Sequence, residues 1–553
     1  MTAPDLSASA PSAVGRSFVR LALANIGVAI GAFGLASAMA MMQALSRANL
    51  DLPFRSAGVY YMSVTAHGTL MALVFTTFFI MGFGYVVAQR ALGTELPLRR
   101  TAWISFWIAV LGTVLTAAVI LAGRATVLYT FYPPLQAHPT FYIGLTLVVV
   151  GSWGWSGVML YALRRWRRLN PGRAIPLAMY GYAATIIVWA LATVGVAAEM
   201  LLQLIPWSLG WSPTVDPVLA RILFWWFGHP LVYFWLLPAY VIWYTVLPRV
   251  AGGKLFSAPL GRLVFAMFIL LSTPVGFHHQ FMDPGIPSQW KLFHTINTML
   301  ILYPSLVTAF TIVASLEIAG RARGGTGVLG WVGRLPWSDP LVSSAILSMA
   351  LFAVGGFGGA INASFGLNAM VHNTSWIPGH FHTTVGSATA LTFMGASYLV
   401  VPRLLGRQLE LAPMARVQPY LWFVGMLLFS IPTHVTGLMG MPRRVYDATY
   451  GEHPVAMSWR WLTDVSAIGG IVLFASALFF VLVMTFTLAG ARGEALPIEF
   501  AESVEPEPER RSSLDRLGVL TLMAAALIVI AYAYPIWHHL QMPRFGSPGF
   551  SPF

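Results

Sequence analysis

The sequence predicts an all-α integral membrane protein of about thirteen transmembrane helices. Three observations lead there. The chain of 553 residues is 57% hydrophobic and only 9% charged, a balance outside the range of water-soluble domains. Apolar runs of about 20 residues, long enough to cross a bilayer, recur from one end to the other. The basic residues gather in every second connection between those runs, the pattern expected of a topology signal.

The first span, 18-45, follows a polar, proline-containing stretch, Met1 to Val14, which lacks the apolar core and cleavage site of a signal peptide, so this helix is expected to be retained. Span 57-87 returns to the basic loop at 90-100, and spans 102-122 and 140-163 lead out and back to Arg164 to Arg173. Spans 175-204 and 218-247 end at Arg249 to Arg262, and spans 260-280 and 292-319 end at Arg321 to Arg334. Spans 340-361 and 371-402 end at Arg403 to Arg416, 417-438 and 462-489 end at the 490-516 loop, and 515-538 closes the series. Several exceed the minimum length, which implies tilt or extension beyond the lipid.

Placing the N-terminus inside puts 23 of the 32 Lys+Arg on the cytoplasmic side and leaves 9 outside. The expected arrangement is a cytoplasmic tail over 1-16 and a C-terminus on the outer side. The formal charge of +13 is then a topology signal, and nucleic acid is excluded as a partner. The only surface it implies is membrane lipid. No internal repeat or soluble domain is evident, so 1-553 reads as one domain. The 490-516 loop, with Glu494, Glu499, Glu502, Glu505, Glu507 and Glu509 among prolines, reads as an exposed or disordered cytoplasmic linker.

The chain has no cysteine, which excludes disulfides, thiolate clusters, covalent c-type heme and a cysteine-ligated copper centre within it. Any metal must be held by imidazole. Among the histidines that fall inside spans, where polar side chains are expensive unless they do something, His67, His229, His278, His279, His380 and His382 are the candidate ligands. A helix turns about 100° per residue, so His380 and His382 point to nearly opposite sides, one imidazole for each of two neighbours. His67, His229 and His380 each lie about ten residues from the outer end of an inward-running span, about 15 Å deep at 1.5 Å per residue. His278 and His279 end an outward-running one. One metal-bearing layer needs such a shared depth.

His229 opens the run Gly228-His-Pro-Leu-Val-Tyr233, which sets Tyr233 one turn further along the same face, and Pro230 loosens the helix by removing a donor. Adjacent His278 and His279 reach one ion only if the backbone distorts, as Pro274, Gly276 and Asp283-Pro-Gly285 allow. Three imidazoles with an open position suit copper and disfavour magnesium or calcium.

His67, the His-Pro-Leu-Val-Tyr run, the His-His pair and His380-Phe-His382, in this order, resemble subunit I of the heme-copper oxidases over nearly the whole chain. The resemblance implies two hemes and a copper at the centre of the bundle. His67 and His382 would be axial ligands of a low-spin heme of b type, and His380 the ligand of a high-spin heme of a type. One copper ion would be held by His229, His278 and His279, with Tyr233 covalently joined to His229 and active in oxygen chemistry. In the commonest members a glutamate stands where this chain has Leu231, so the chain resembles the B type. The resemblance then implies one proton path, through Thr311, Thr308, Ser305, Thr298, Tyr244 and Tyr240 to Tyr233. It assigns Arg443 and Arg444 to heme propionates and puts His372 and Asn368 in a propionate-linked region for proton acceptance, which Asp283 is placed to share. Glu199, near an outer helix end, is open to an ion-pair or a proton-release role.

The expected activity is reduction of dioxygen to water in a bacterial or archaeal cytoplasmic membrane, with protons drawn from the cytoplasm and others translocated. A second subunit carrying a dinuclear copper centre would deliver electrons from cytochrome c or a similar donor. Two rivals are a nitric oxide reductase, against which Tyr233 and the lack of glutamates near the non-heme metal argue, and a non-redox transporter, which would bind no heme.

Overall fold

The computed structural model describes residues 16–50, 56–491 and 493–551. The expected cytoplasmic tail lies outside the described residues up to position 15. Twelve helices among the described residues are long and apolar enough to span a membrane. With one shorter helix they form the series α1 (Arg16–Arg47), α2 (Ala57–Leu92), α3 (Arg99–Leu121), α4 (Pro139–Leu169), α5 (Leu177–Ser208), α6 (Pro217–Val250), α7 (Ala258–Leu271), α8 (Ser288–Ala322), α9 (Pro340–Ala363), α10 (Trp376–Leu405), α11 (Ala412–Leu438), α12 (Arg460–Ala489) and α13 (Leu517–Gln541).

Their starts follow local chemistry. Asp216 accepts from Val218 and Leu219 N–H ahead of α6, and Asp339 from Leu341 and Val342 N–H ahead of α9. In each case a proline at the first helical position needs no donor partner. Packing in lipid relies on small residues, since burial of apolar surface gives no advantage there. α3 and α4 lie side by side, and a Cβ on Gly112 would stand 2.4 Å from the carbonyl oxygen of Gly144. α6 is almost wholly buried at the centre, whereas α3 and α13 turn Trp107, Leu111, Leu522 and Val529 outward.

The seventh expected span, 260-280, is not one continuous helix. α7 ends at Leu271, and the chain passes through Ser272 to Val275 into a short 3-10 turn, Gly276–His279. Pro274 offers no N–H, and a Cβ on Gly276 would lie 2.3 Å from the Trp225 carbonyl oxygen. Two further irregularities bear on the site. The backbone widens into π turns over Leu70–Phe75, just after His67, and over Val385–Leu391, just after His382.

The 490-516 segment is a strap rather than a free linker. Its side chains remain largely exposed, but Ser503–Glu505 (β2) pairs in parallel with Leu255–Ser257 (β1). Glu499 meets Arg249 at 2.5 Å and Glu502 meets Lys254 at 2.8 Å. The acidic residues thus face basic helix ends that are remote in sequence, so composition alone could not reveal the pairing. Buried Asp515 meets buried Arg262 at 2.7 Å. Burial would raise the Asp515 carboxyl, but the backbone N–H groups of Ile175 and Ser512 and the Arg262 guanidinium hold it below its usual value. Its contribution to stability is therefore present at neutral pH and lost as acid protonates it in the folded protein. Asp515→Asn keeps the shape and strands a buried guanidinium, so it should destabilise by about 3 kcal/mol. Thermal unfolding in detergent measures this, and an unchanged midpoint would show that the pair is not structural.

Candidate metal centres and the residues around them

Pro230 interrupts α6, so its helical stretches run Pro217–Gly228 and Pro230–Thr245 with His229 at the joint. The ring of His229 faces the Gly276–His279 turn, and ligand nitrogens of His229, His278 and His279 all lie within 4.8 Å of one another. Nδ1 of His229 is 3.2 Å from Nε2 of His279. Two nitrogens bonded to one ion at roughly 2.0 Å can stand no more than roughly 4 Å apart, so this pair already has the separation a shared metal requires. Nδ1 of His278 is 3.1 Å from the hydroxyl of Thr298, which leaves Nε2 free. The indole of Trp225 stacks on His279 at 3.6 Å. The unwound backbone beyond Leu271 is what lets two adjacent imidazoles converge.

The remaining nitrogen of His229, Nε2, lies within hydrogen-bond distance of the Tyr233 hydroxyl, at 3.0 Å. One helical turn separates the two residues, as the i, i+4 spacing requires. Tyr233 is buried and therefore reports to His229 and not to bulk water.

His380 and His382 diverge as their spacing predicts. His380 Nδ1 donates to the Gly355 carbonyl of α9 at 2.9 Å, and His382 Nδ1 donates to Pro378 at 2.7 Å. His67 Nδ1 donates to the Ala36 carbonyl of α1 at 3.0 Å. Each bond fixes the tautomer with the lone pair on Nε2, the form a metal binds. The rings of His67 and His382 are parallel to within 4°, with centroids 6.1 Å apart. Two N–metal bonds of about 2.0 Å with half a ring behind each come to roughly 6 Å. The pair therefore fits two imidazoles that would share one metal ion. One expectation shifts in detail: α10 begins at Trp376, so His380 is the fifth residue of its helix and not about ten residues in. A separate short helix, Phe365–Val371, fills the interval.

One continuous cavity joins these groups, lined by His67, His382, His380 and the three-histidine cluster. Arg443, Arg444 and His372 reach the same cavity from the loops. Arg444 adopts φ 64°, and its guanidinium lies 4.9 Å from the Tyr129 ring centre. Its Nε and Nη2 are buried with no hydrogen-bond partner among the described residues, a cost that an anionic group would relieve. Arg443 donates to Asn373 Oδ1 at 2.8 Å. Burial and the adjacent Arg444 bring the Arg443 guanidinium down to about 10. The pair overcomes burial to hold the Tyr129 hydroxyl below its usual value. Forked guanidiniums in this corner of the cavity could hold a carboxylate.

The hydroxyls of the expected path come together in pairs. Tyr240 donates to Ser305 and Tyr244 to Thr308, each at 3.0 Å, bridging α6 and α8. Thr298 sits instead against His278, a branch toward the three-histidine cluster. Ser315, missed in the sequence, continues the column one turn beyond Thr311, donating to its carbonyl at 2.7 Å. The i+4 hydroxyl repeat was the available signal. Asn368 donates to the carbonyls of His278 and Asn362, at 3.1 and 2.6 Å. Asp283 accepts from Arg221 at 2.8 Å. Glu199 is fully buried, and both its carboxyl oxygens lack a hydrogen-bond partner among the described residues. Also missed was His294, buried behind the His278–His279 turn.

Comparison with known proteins agrees with this geometry. The family described as "Cytochrome C and Quinol oxidase polypeptide I" matches residues 20–472. "Cytochrome c oxidase subunit 1" of Thermus thermophilus is 44% identical over 509 residues, 89% of each chain. The protein of the same description from Synechocystis is 27% identical, covering 78% of this chain and 76% of the relative. A cryo-EM structure of a heme-copper terminal oxidase dimer superposes with a TM-score of 0.92 at 36% identity, covering 98% of this chain and 96% of that one.

Proposed function

The chain belongs to the cytochrome c and quinol oxidase polypeptide I family and is the catalytic subunit of a heme-copper terminal oxidase, and from that premise we propose roles for its residues. His67 and His382 hold a low-spin heme of b type. His380 holds a high-spin heme of a type, and His229, His278 and His279 hold copper. When bound, these groups supply the oxygen-binding site and the electrons that reduce dioxygen to water. Arg443 and Arg444 take the heme carboxylates. A single observation carries the assignment: one cavity contains a three-imidazole cluster within 4.8 Å and a parallel imidazole pair at 6.1 Å.

The other roles follow from position. Tyr233 carries a proton on its hydroxyl, 3.0 Å from His229 Nε2, where it can be given up to the reacting site. Its covalent link to His229 is read out by mass spectrometry of the peptide containing both residues, and two unmodified side chains would count against it. Thr311, Thr308, Ser305, Thr298, Tyr244 and Tyr240 carry protons toward Tyr233, since each hydroxyl can both donate and accept. With Leu231 in place of an acid, this is the one path, as in the B type. His372 accepts protons near the carboxylates on the far side. The cytoplasm supplies the protons, with the N-terminus on that side and the C-terminus opposite. A second subunit with a dinuclear copper centre delivers electrons from cytochrome c or a similar carrier.

Thr308→Val and Tyr244→Phe remove one relay oxygen each and preserve volume. They should slow turnover at least about tenfold while heme and copper content stay normal, since relay groups typically contribute 10²–10⁴-fold. Electron arrival at the low-spin heme should stay fast in stopped-flow measurements. Wild-type turnover with intact acidification by both variants would make these hydroxyls ordinary helix-packing groups.

A further inference from the structure

The turn that carries His278 and His279 has backbone groups that no helix satisfies, and two side chains outside the ligand set meet them. Tyr532, on α13, accepts from Gly276 N–H at 3.1 Å and donates to the Thr273 carbonyl at 3.1 Å. His294, on α8, accepts from Phe277 N–H through Nδ1 at 3.1 Å and donates through Nε2 to the Ala531 carbonyl at 3.3 Å. Both ring nitrogens of His294 are thereby committed, so it cannot be a fourth ligand. Its ring lies against Phe277 at 4.2 Å, and Tyr532 packs edge-on to both, at 5.1 and 5.3 Å. Phe277, Tyr532, Ala531, Ile222, Ile286 and Ile528 form a separate apolar cluster around this point.

We propose that His294 and Tyr532 are positioning residues that clamp the Thr273–Phe277 backbone and so set the direction of the two adjacent copper-ligating imidazoles, making α13 part of the support of the metal site. The physical reason is the irregular backbone. A regular helix would hold its own N–H and C=O groups and keep adjacent side chains about 100° apart. The distorted turn leaves the Gly276 and Phe277 N–H groups without helical partners, and buried groups of this kind need partners elsewhere. The clamp supplies them from two helices at once. Gly276 shows how tight the fit is, because a Cβ there would lie 2.5 Å from the Tyr532 oxygen.

This inference rests on the copper assignment above, and its test separates the two. The assembled oxidase is purified as wild type and as His294→Phe, His294→Asn and Tyr532→Phe. Copper per heme iron and the rate of copper loss to a chelator are measured beside the reduced-minus-oxidised spectrum of the low-spin heme. His294→Phe keeps the ring stack and loses the acceptor, so chelator release should be at least about tenfold faster, with up to one copper lost per two irons. His294→Asn restores an acceptor at the Nδ1 position and should recover most of the difference. Tyr532→Phe should behave as His294→Phe, and it gives the result should that variant fail to assemble. The low-spin spectrum should be unchanged throughout. Wild-type copper retention in both phenylalanine variants, or no recovery by asparagine, would overturn the clamp, as would parallel loss of the low-spin signal. A wild-type enzyme with no copper at this site would instead overturn the ligand assignment.

Discussion

Tyr233→Phe should fold, bind both hemes and copper, and lose oxygen reduction by at least about 100-fold, equivalent to about 2.7 kcal/mol of barrier. The hydroxyl is buried and bonded to one partner, His229 Nε2, at 3.0 Å. Removing it leaves the ring packed against Phe268 at 5.3 Å, so the fold has little reason to change. The reacting site, however, loses the hydroxyl proton beside His229. Turnover in an oxygen electrode, compared with heme and copper content, separates the two effects. Equal losses of cofactor and activity would reduce Tyr233 to a packing residue, and full activity would remove it from the chemistry.

His382→Leu should eliminate the six-coordinate low-spin heme spectrum while high-spin ligand binding survives in part. His382 and His67 approach the same point from α10 and α2 with parallel rings, and each is oriented by one backbone carbonyl. Without His382 only the His67 imidazole would remain to hold that heme, which would alter its spectrum even where heme is retained. His380 faces α9 through Gly355 and should keep its own heme. The discriminating observation is a low-spin band that persists in the variant, because it would mean that another residue is the ligand.

Much of this was readable in the residues. The spans follow from hydropathy because a bilayer demands continuous apolar helices. His380 and His382 were separable onto two sides by the 100° step alone, and Tyr233 onto His229 by i, i+4. What could not be read depends on contacts between remote segments. The acidic 490-516 segment looked solvated because its partners Arg249, Lys254 and Arg262 are some 250 positions away in sequence. The expected span 260-280 hid an unwound turn, since Pro274 signals a distortion without saying how far it extends. His294 and Tyr532 belong to no motif, and their meaning arises only once α13 packs behind that turn. The same is true of Arg444, whose buried Nε and Nη2 have no partner among the described residues, which gives it more weight than a loop arginine has by position.

On the proposed assignment one cavity would hold two hemes in different states, one held by both His67 and His382 and one held by His380 alone beside the three-histidine cluster. The reduced-minus-oxidised visible spectrum of the purified oxidase, recorded before and after carbon monoxide, tests it most directly. Two heme contributions are expected, of which carbon monoxide shifts one and leaves the other untouched. A single heme signal, or two that both respond to carbon monoxide, would contradict it.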